Sequence, residues 1–154
     1  TWMTRADREH EIRDYVEYLD RLAATVLDPP AAGGASRLAP EAPEAAPMRG
    51  DGRLVVLGFS QGAATASRWA TYGRIRPDEL VLWAGGLAAD LDMARAAEAL
   101  AGVRVRFVVG DDDRWATRRV EESVRRLEEI GLTPERLGFP GGHRLSGEVL
   151  RDWG

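Results

Sequence analysis

Cysteine and lysine are both absent from the chain. Without a thiol it can form no disulfide, no thiolate metal site and no cysteine nucleophile. Its 21 basic residues are all arginine, which excludes a serine–lysine dyad, a Schiff base and the lysine of a phosphate-binding P-loop. Histidine occurs only as His10 and His143. Long apolar runs are missing too: none approaches the roughly 20 residues of a membrane-spanning helix, and no charged-then-apolar start suggests a secretory signal. The default expectation is a cytoplasmic location. A net charge of −4 with Arg and Glu interleaved speaks against nucleic acid as a main partner. At 154 residues and 44% hydrophobic, the chain has room for one globular domain over 1–154 and none for a second catalytic unit.

Hydrophobic periodicity alternates between strand and helix along the chain. Ile12, Tyr15, Val16, Leu19, Leu22 and Val26 fall at helical spacing between Thr4, a capping residue, and the stop at Pro29-Pro30. Residues 28–52 are rich in Pro, Ala and Gly with no periodic apolar face, and are expected to form a flexible surface loop. Leu54 to Leu57 reads as a strand, the Ala-rich stretch to Gly73 as a helix, and Glu79 to Trp83 as a buried strand leading to Gly85-Gly86. A short helix over Asp90 to Leu100 precedes a strand from Val103 to Val109. Thr117 is then expected to cap a helix with Val120, Val124, Leu127 and Ile130 inward and Gly131 as its stop. Arg118 with Glu122, Glu121 with Arg125 and Glu122 with Arg126 sit four apart on its solvated face. A strand over Pro134 to Phe139 and a closing helix over Leu145 to Trp153 complete the series. Such alternation predicts an α/β fold whose mostly parallel sheet is covered by helices on both faces, with ligands at the C-terminal ends of the strands.

One of those strand ends carries chemistry. Gly58-Phe59-Ser60-Gln61-Gly62 joins the Leu54 strand to the Ala-rich helix, so a serine sits on a sharp strand-to-helix turn. Glycine two residues before and two after the serine is expected because bulkier residues would collide with strand and helix. Ser60 is thereby held at a helix N-terminus, where developing negative charge meets free backbone N–H groups and the positive end of the helix dipole. A phosphate-cradling reading of these glycines lacks a third glycine and a ribose-binding acid on the next strand.

A serine activated on such a turn is followed in chain order by an acid and a histidine. His10 lies upstream between Glu9 and Glu11 and is expected on the solvent side of its helix. His143 follows Phe139-Pro140-Gly141-Gly142 near the chain end and is the candidate general base. The acid belongs after the Val103 strand, in Gly110-Asp111-Asp112-Asp113. Asp113 is preferred because a turn needs residues before it can send a side chain back across the sheet top, and Asp112 is the fallback. At least two of the three carboxylates are expected to be solvated or to cap the next helix. A metal site would need a second carboxylate or histidine cluster, so neither metal nor cofactor is expected. Leu87 and Trp115 lie in the same loops and are candidates to line an apolar acyl or alcohol pocket, with plain packing as their other reading.

The elbow GFSQGAA, the Gly-x-x-Asp loop after the next-but-one strand and the Gly-Gly-His segment together resemble the phospholipase/carboxylesterase family of serine esterases, whose relatives include acyl-protein thioesterases. The resemblance covers most of the chain. It implies an α/β-hydrolase sheet, Ser60 as nucleophile, His143 as base and acid, Asp113 as the orienting carboxylate and the Gln61 backbone N–H as an oxyanion donor. The implied substrates are small carboxylic esters, lysophospholipids or acyl thioesters. Family members carry several strands before the elbow and a His-Gly loop that supplies a second oxyanion N–H, and nothing in this sequence matches them. The expectation is therefore a hydrolase domain that is N-terminally truncated relative to the family. Losing one oxyanion donor costs about a hundredfold to a thousandfold in turnover, so the alternative is a catalytically silent fragment or an interaction module. An elbow strand without its usual neighbour would also expose a sheet edge through which a homo-oligomer could form.

Overall fold

Three largely apolar runs and the mixed stretch Glu135–Phe139 become the strands of one sheet. The computed structural model describes residues 7–27 and 52–152. In chain order the elements are α1 (Arg8–Leu27), β1 (Val55–Phe59), α2 (Gln61–Tyr72), β2 (Glu79–Trp83), α3 (Met93–Ala99), β3 (Arg104–Gly110), α4 (Arg114–Glu129), β4 (Glu135–Phe139) and α5 (Gly147–Arg151). The strands lie in the order β1-β2-β3-β4, and every pair is parallel. Parallel neighbours need a crossover, and α2, α3 and α4 each occupy one. The expected α/β architecture is thus present. The loop expected over 28–52 lies, except for Gly52, outside the described residues, as do Thr4 and Trp153.

Alternation along the strands splits the apolar side chains between two faces. Val56, Leu80, Leu82, Val105 and Phe107 pack against Ala63, Ala66 and Ala70 of α2, Ala96 of α3, and Val120 and Leu127 of α4. Val81, Trp83, Val108 and Phe139 face the other way, against Ala116 and Val149. All five residues of β2 are buried, as expected of an inner strand covered on both sides. Each fully buried leucine there contributes about 1.5–3 kcal/mol. At the N-terminal ends of the strands, buried Glu79 is held between Arg53 and Arg106, and Arg106 also reaches Glu135 at 2.9 Å. That charged lacing leaves the opposite end of the sheet for the site.

α1 turns the first part of its apolar stripe inward, with Ile12, Tyr15 and Leu19 half-buried, and departs from it toward the C-terminus. Val16, Asp20 and Ala23 are buried, whereas Leu22 and Val26 are 49% and 69% exposed. Asp20 decides the rotation: its carboxylate accepts from the Trp69 indole N–H at 2.8 Å and from the Arg74 N–H at 3.0 Å. A second polar anchor lies nearer the helix start. Buried Arg68 donates to Asp90 at 2.6 Å and to the Tyr15 hydroxyl at 3.3 Å, while Arg8 reaches the other Asp90 oxygen at 2.9 Å. Burial works against the Asp90 carboxylate, but the hydrogen bonds and charge of Arg68, with Arg8 beside them, outweigh it and hold Asp90 below the usual carboxylate range. Burial raises the Tyr15 phenol against the opposing pull of Arg68.

Two details of α4 also differ from expectation. α4 begins three residues before Thr117, because the Asp113 carboxylate accepts from the Ala116 N–H at 3.0 Å and is the N-cap. Thr117 lies within the first turn and donates to the Asp113 carbonyl at 2.8 Å. Farther along, Arg126 leaves the solvated face and donates to the carbonyls of Ala88 and Leu91 at 2.9 and 3.2 Å, tying α4 to the loop before α3.

The two sheet edges differ in character. β4 shows Glu135 and Arg136 to solvent, charged residues that discourage pairing. β1 carries no charge. Leu54 and Ser60 both bond toward β2, so alternation aims the N–H and C=O groups of Val55, Leu57 and Phe59 away from it, where no strand lies among the described residues. Val55 and Leu57 are 38% and 42% exposed.

Candidate active site

The C-terminal ends of β1, β3 and β4 bring three of the expected residues together. Ser60, between β1 and α2, has φ 55° and ψ −117°, a conformation that L-residues rarely adopt. Although it occupies the N-cap position of α2, its hydroxyl makes no capping bond to that helix. The Oγ lies instead 2.8 Å from Nε2 of His143, and Nδ1 of His143 lies 2.6 Å from Oδ2 of Asp113. An ionised carboxylate only accepts, which assigns the proton of the neutral imidazole to Nδ1 and leaves Nε2 to accept from the Ser60 hydroxyl. Asp113 is 7% exposed; Asp111 and Asp112 face solvent. No acidic residue lies in the first turn of α2 to offset its positive end beside Ser60.

Close backbone approaches build this geometry, and glycine permits them. A Cβ on Gly58 would sit 2.3 Å from the carbonyl oxygen of Gly62, and one on Gly85 would sit 2.4 Å from that of Ser60. Gly110 is as crowded: its Cβ would lie 2.3 Å from the carbonyl oxygen of Gly141, in the loop that carries His143. Gly62 departs from expectation, since an added Cβ meets nothing within 4 Å beyond its own helix. The loops that carry Asp113 and His143 are laced by main-chain bonds from Asp111 N–H to the Phe139 carbonyl and from Asp112 N–H to the Gly141 carbonyl, both 2.9 Å.

Aromatic rings flank the imidazole. Phe59 packs against it with ring centroids 5.2 Å apart and Trp115 meets it edge-on at 6.3 Å. Trp115 is 59% exposed, and the Arg119 guanidinium lies over its ring. Leu87 is placed otherwise: it is buried in the core, with its N–H donated to Ser123 Oγ at 2.9 Å. Gln61 opens α2 with an exposed side chain. His10 is on the surface of α1, 3.2 Å from Asp7. Sequence reasoning missed Phe59 and Trp83. A tryptophan ending a buried strand was the available signal, because its indole N–H needs an acceptor. Among the described residues no cluster of three or more His, Asp or Glu side chains is placed to hold a metal, and no helix is long and apolar enough to cross a membrane.

The crystal structure of Zea mays acyl-protein thioesterase 2 matches 90% of this chain with a TM-score of 0.57 and 19% identity. The chain folds like that thioesterase. A variant of Arabidopsis thaliana SOBER1 matches 94% of the chain with a TM-score of 0.57 and 16% identity. Both structures are α/β-hydrolases of the phospholipase/carboxylesterase family, and this chain spans 62% of the length of each. No protein-family model and no curated protein sequence matches the chain. At these identities the likeness establishes the fold, and the chemistry has to be argued from the residues.

Proposed function

We propose that the protein is a serine hydrolase that cleaves carboxylic esters, whether small acyl esters, lysophospholipids or acyl thioesters, through an acyl-enzyme. The observation that carries this reading is the unbroken hydrogen-bonded line from Ser60 Oγ through His143 to Asp113, with links of 2.8 and 2.6 Å. In the first step Nε2 of His143 takes the Ser60 proton as Oγ attacks the substrate carbonyl carbon. The carbonyl oxygen becomes an oxyanion beside the N-terminus of α2, where the Gln61 N–H donates to it. Collapse expels the alcohol or thiol, which leaves with the proton from His143. Water, deprotonated by the same imidazole, then attacks the acyl-Ser60 ester, and the acid departs with the serine restored. Asp113 keeps the imidazole in the tautomer this sequence needs and stabilises the imidazolium. Exposed Trp115, beside the imidazole, is our candidate for contact with an apolar part of the substrate. Intact-mass measurement after exposure to a fluorophosphonate tests the assignment: one adduct is expected on the parent chain and none on Ser60→Ala or His143→Ala. A folded parent chain that takes up no adduct would overturn it.

A second reading, an interaction module that pairs through its sheet edge, is favoured by β1. The outward backbone groups of Val55, Leu57 and Phe59 are self-complementary about a two-fold axis at Leu57, which sets Leu57 opposite Leu57 of a second copy and Val55 opposite its Phe59. Sedimentation velocity would show a dimer that Leu57→Lys dissociates; a strictly monomeric parent would sink this reading.

A further inference from the structure

The candidate nucleophile and the candidate base reach the site on loops far apart in sequence, and one residue between them contacts both. Trp83, the last residue of β2, is fully buried. Its main-chain carbonyl accepts the Ser60 N–H at 2.7 Å, the bond that holds the strained turn at its start. Its indole N–H donates to the carbonyl of Arg144 at 3.0 Å, one residue past His143. Its ring packs on Phe139 with centroids 5.7 Å apart, where β4 gives way to the histidine loop.

We infer that Trp83 is a positioning residue that sets the separation between Ser60 and the imidazole of His143, an inference that rests on the hydrolase reading above. Geometry and burial carry it. The His143 side chain is 41% exposed, so the core does not enclose the ring, and its place depends on how its loop is pinned. Lacing to Asp111 and Asp112 pins that loop to β3 beside Asp113, and reaches Ser60 only indirectly, across β2. Among the described residues, apart from the Ser60–His143 contact and the sheet itself, the direct ties between the His143 loop and the Ser60 turn are the packing of Phe59 on the imidazole and the contacts of Trp83. Of these direct ties the Trp83 link is the directional bond, and such a bond fixes distance more tightly than apolar contact does. A phenylalanine or leucine at 83 could fill the core but would leave the Arg144 carbonyl without this donor. Displacement of a reacting group by about 1 Å is enough to cost on the order of a hundredfold in rate.

The test separates the N–H from the ring. Trp83→Phe removes the donor and keeps an aromatic side chain. Should that variant fail to fold, benzothienylalanine at position 83 has the shape of tryptophan with sulfur in place of N–H. Two readouts are compared with the parent protein: kcat and KM on a short acyl ester, and the imidazole C–H resonances of His143, told from those of His10 with His143→Ala. The expected result is a fall in kcat of about tenfold to a hundredfold with KM nearly unchanged. The His143 resonances should move as the ring shifts against Phe59 and Trp115, while those of His10 stay in place. A folded isostere variant with parental kcat and unmoved His143 resonances would make Trp83 a core filler and overturn the inference. If the parent protein turns over no ester and takes up no fluorophosphonate, the hydrolase reading fails, and the His143 resonances still decide whether Trp83 positions the ring.

Discussion

Asp113 serves His143 and α4 at once: Oδ2 lies 2.6 Å from the imidazole Nδ1, and Oδ1 accepts the Ala116 N–H at 3.0 Å as the helix N-cap. The two duties can be separated by mutation. Asparagine caps helices as well as aspartate does, but its amide cannot hold the imidazole as a carboxylate does. Asp113→Asn is therefore expected to lower ester turnover by about 10⁴-fold with little change in thermal stability. Asp113→Ala should lose the activity and about 1 kcal/mol of stability as well. Urea unfolding of the two variants beside turnover assays checks both halves.

The two elbow glycines are expected to respond in opposite ways. Gly58→Ala forces a Cβ to within 2.3 Å of the Gly62 carbonyl oxygen and should cost about 1–3 kcal/mol along with turnover. Gly62→Ala meets no such contact and lies in the first turn of α2, so it should fold normally and gain about 0.4–1 kcal/mol. Equal destabilisation by both in thermal melts would contradict the assigned geometry.

Acid should loosen α1 before the sheet. Asp90 is held below the ordinary aspartate value of 3.8, so its ion pairs with Arg68 and Arg8 contribute stability that is fully present above that value and is lost as pH falls through the lower native one. Between about pH 5 and about pH 3 the melting temperature of the parent should fall more steeply than that of Asp90→Asn, which has no carboxylate to protonate. Parallel curves for the two proteins would exclude the pair as the acid-sensitive contact.

Much of the candidate site's geometry could be read from the sequence because its signals are local. A glycine-flanked serine between an apolar run and an Ala-rich stretch defines the Ser60 turn without tertiary information, and with only two histidines, chain order singles out His143. The order β1, α2, β2, α3, β3, α4, β4 follows from apolar runs separated by helical spacing. What escaped involves partners distant in the chain. Asp20 buried against Trp69, Arg68 against Asp90 and Tyr15, and Arg126 against the Ala88 and Leu91 carbonyls are polar contacts across 22 to 53 positions. Period and propensity carry no trace of them, so Leu22 and Val26 were expected inside and Arg126 outside. The Thr117 cap was misplaced for a related reason: Asp113 satisfies the helix and the histidine together, and one-residue-one-role reasoning assigns it to the histidine alone.

The lacing of the Asp111–Asp113 turn to the Gly141–Gly142 loop has a consequence for engineering. Each loop is the scaffold of the other, and Gly110 has no room between them for a side chain. Neither loop can be exchanged alone without dismantling its partner. Residues 110–146, taken as one cassette with α4 and β4 inside it, are the smallest piece that could be recombined between proteins of this fold with the carboxylate–imidazole pair intact.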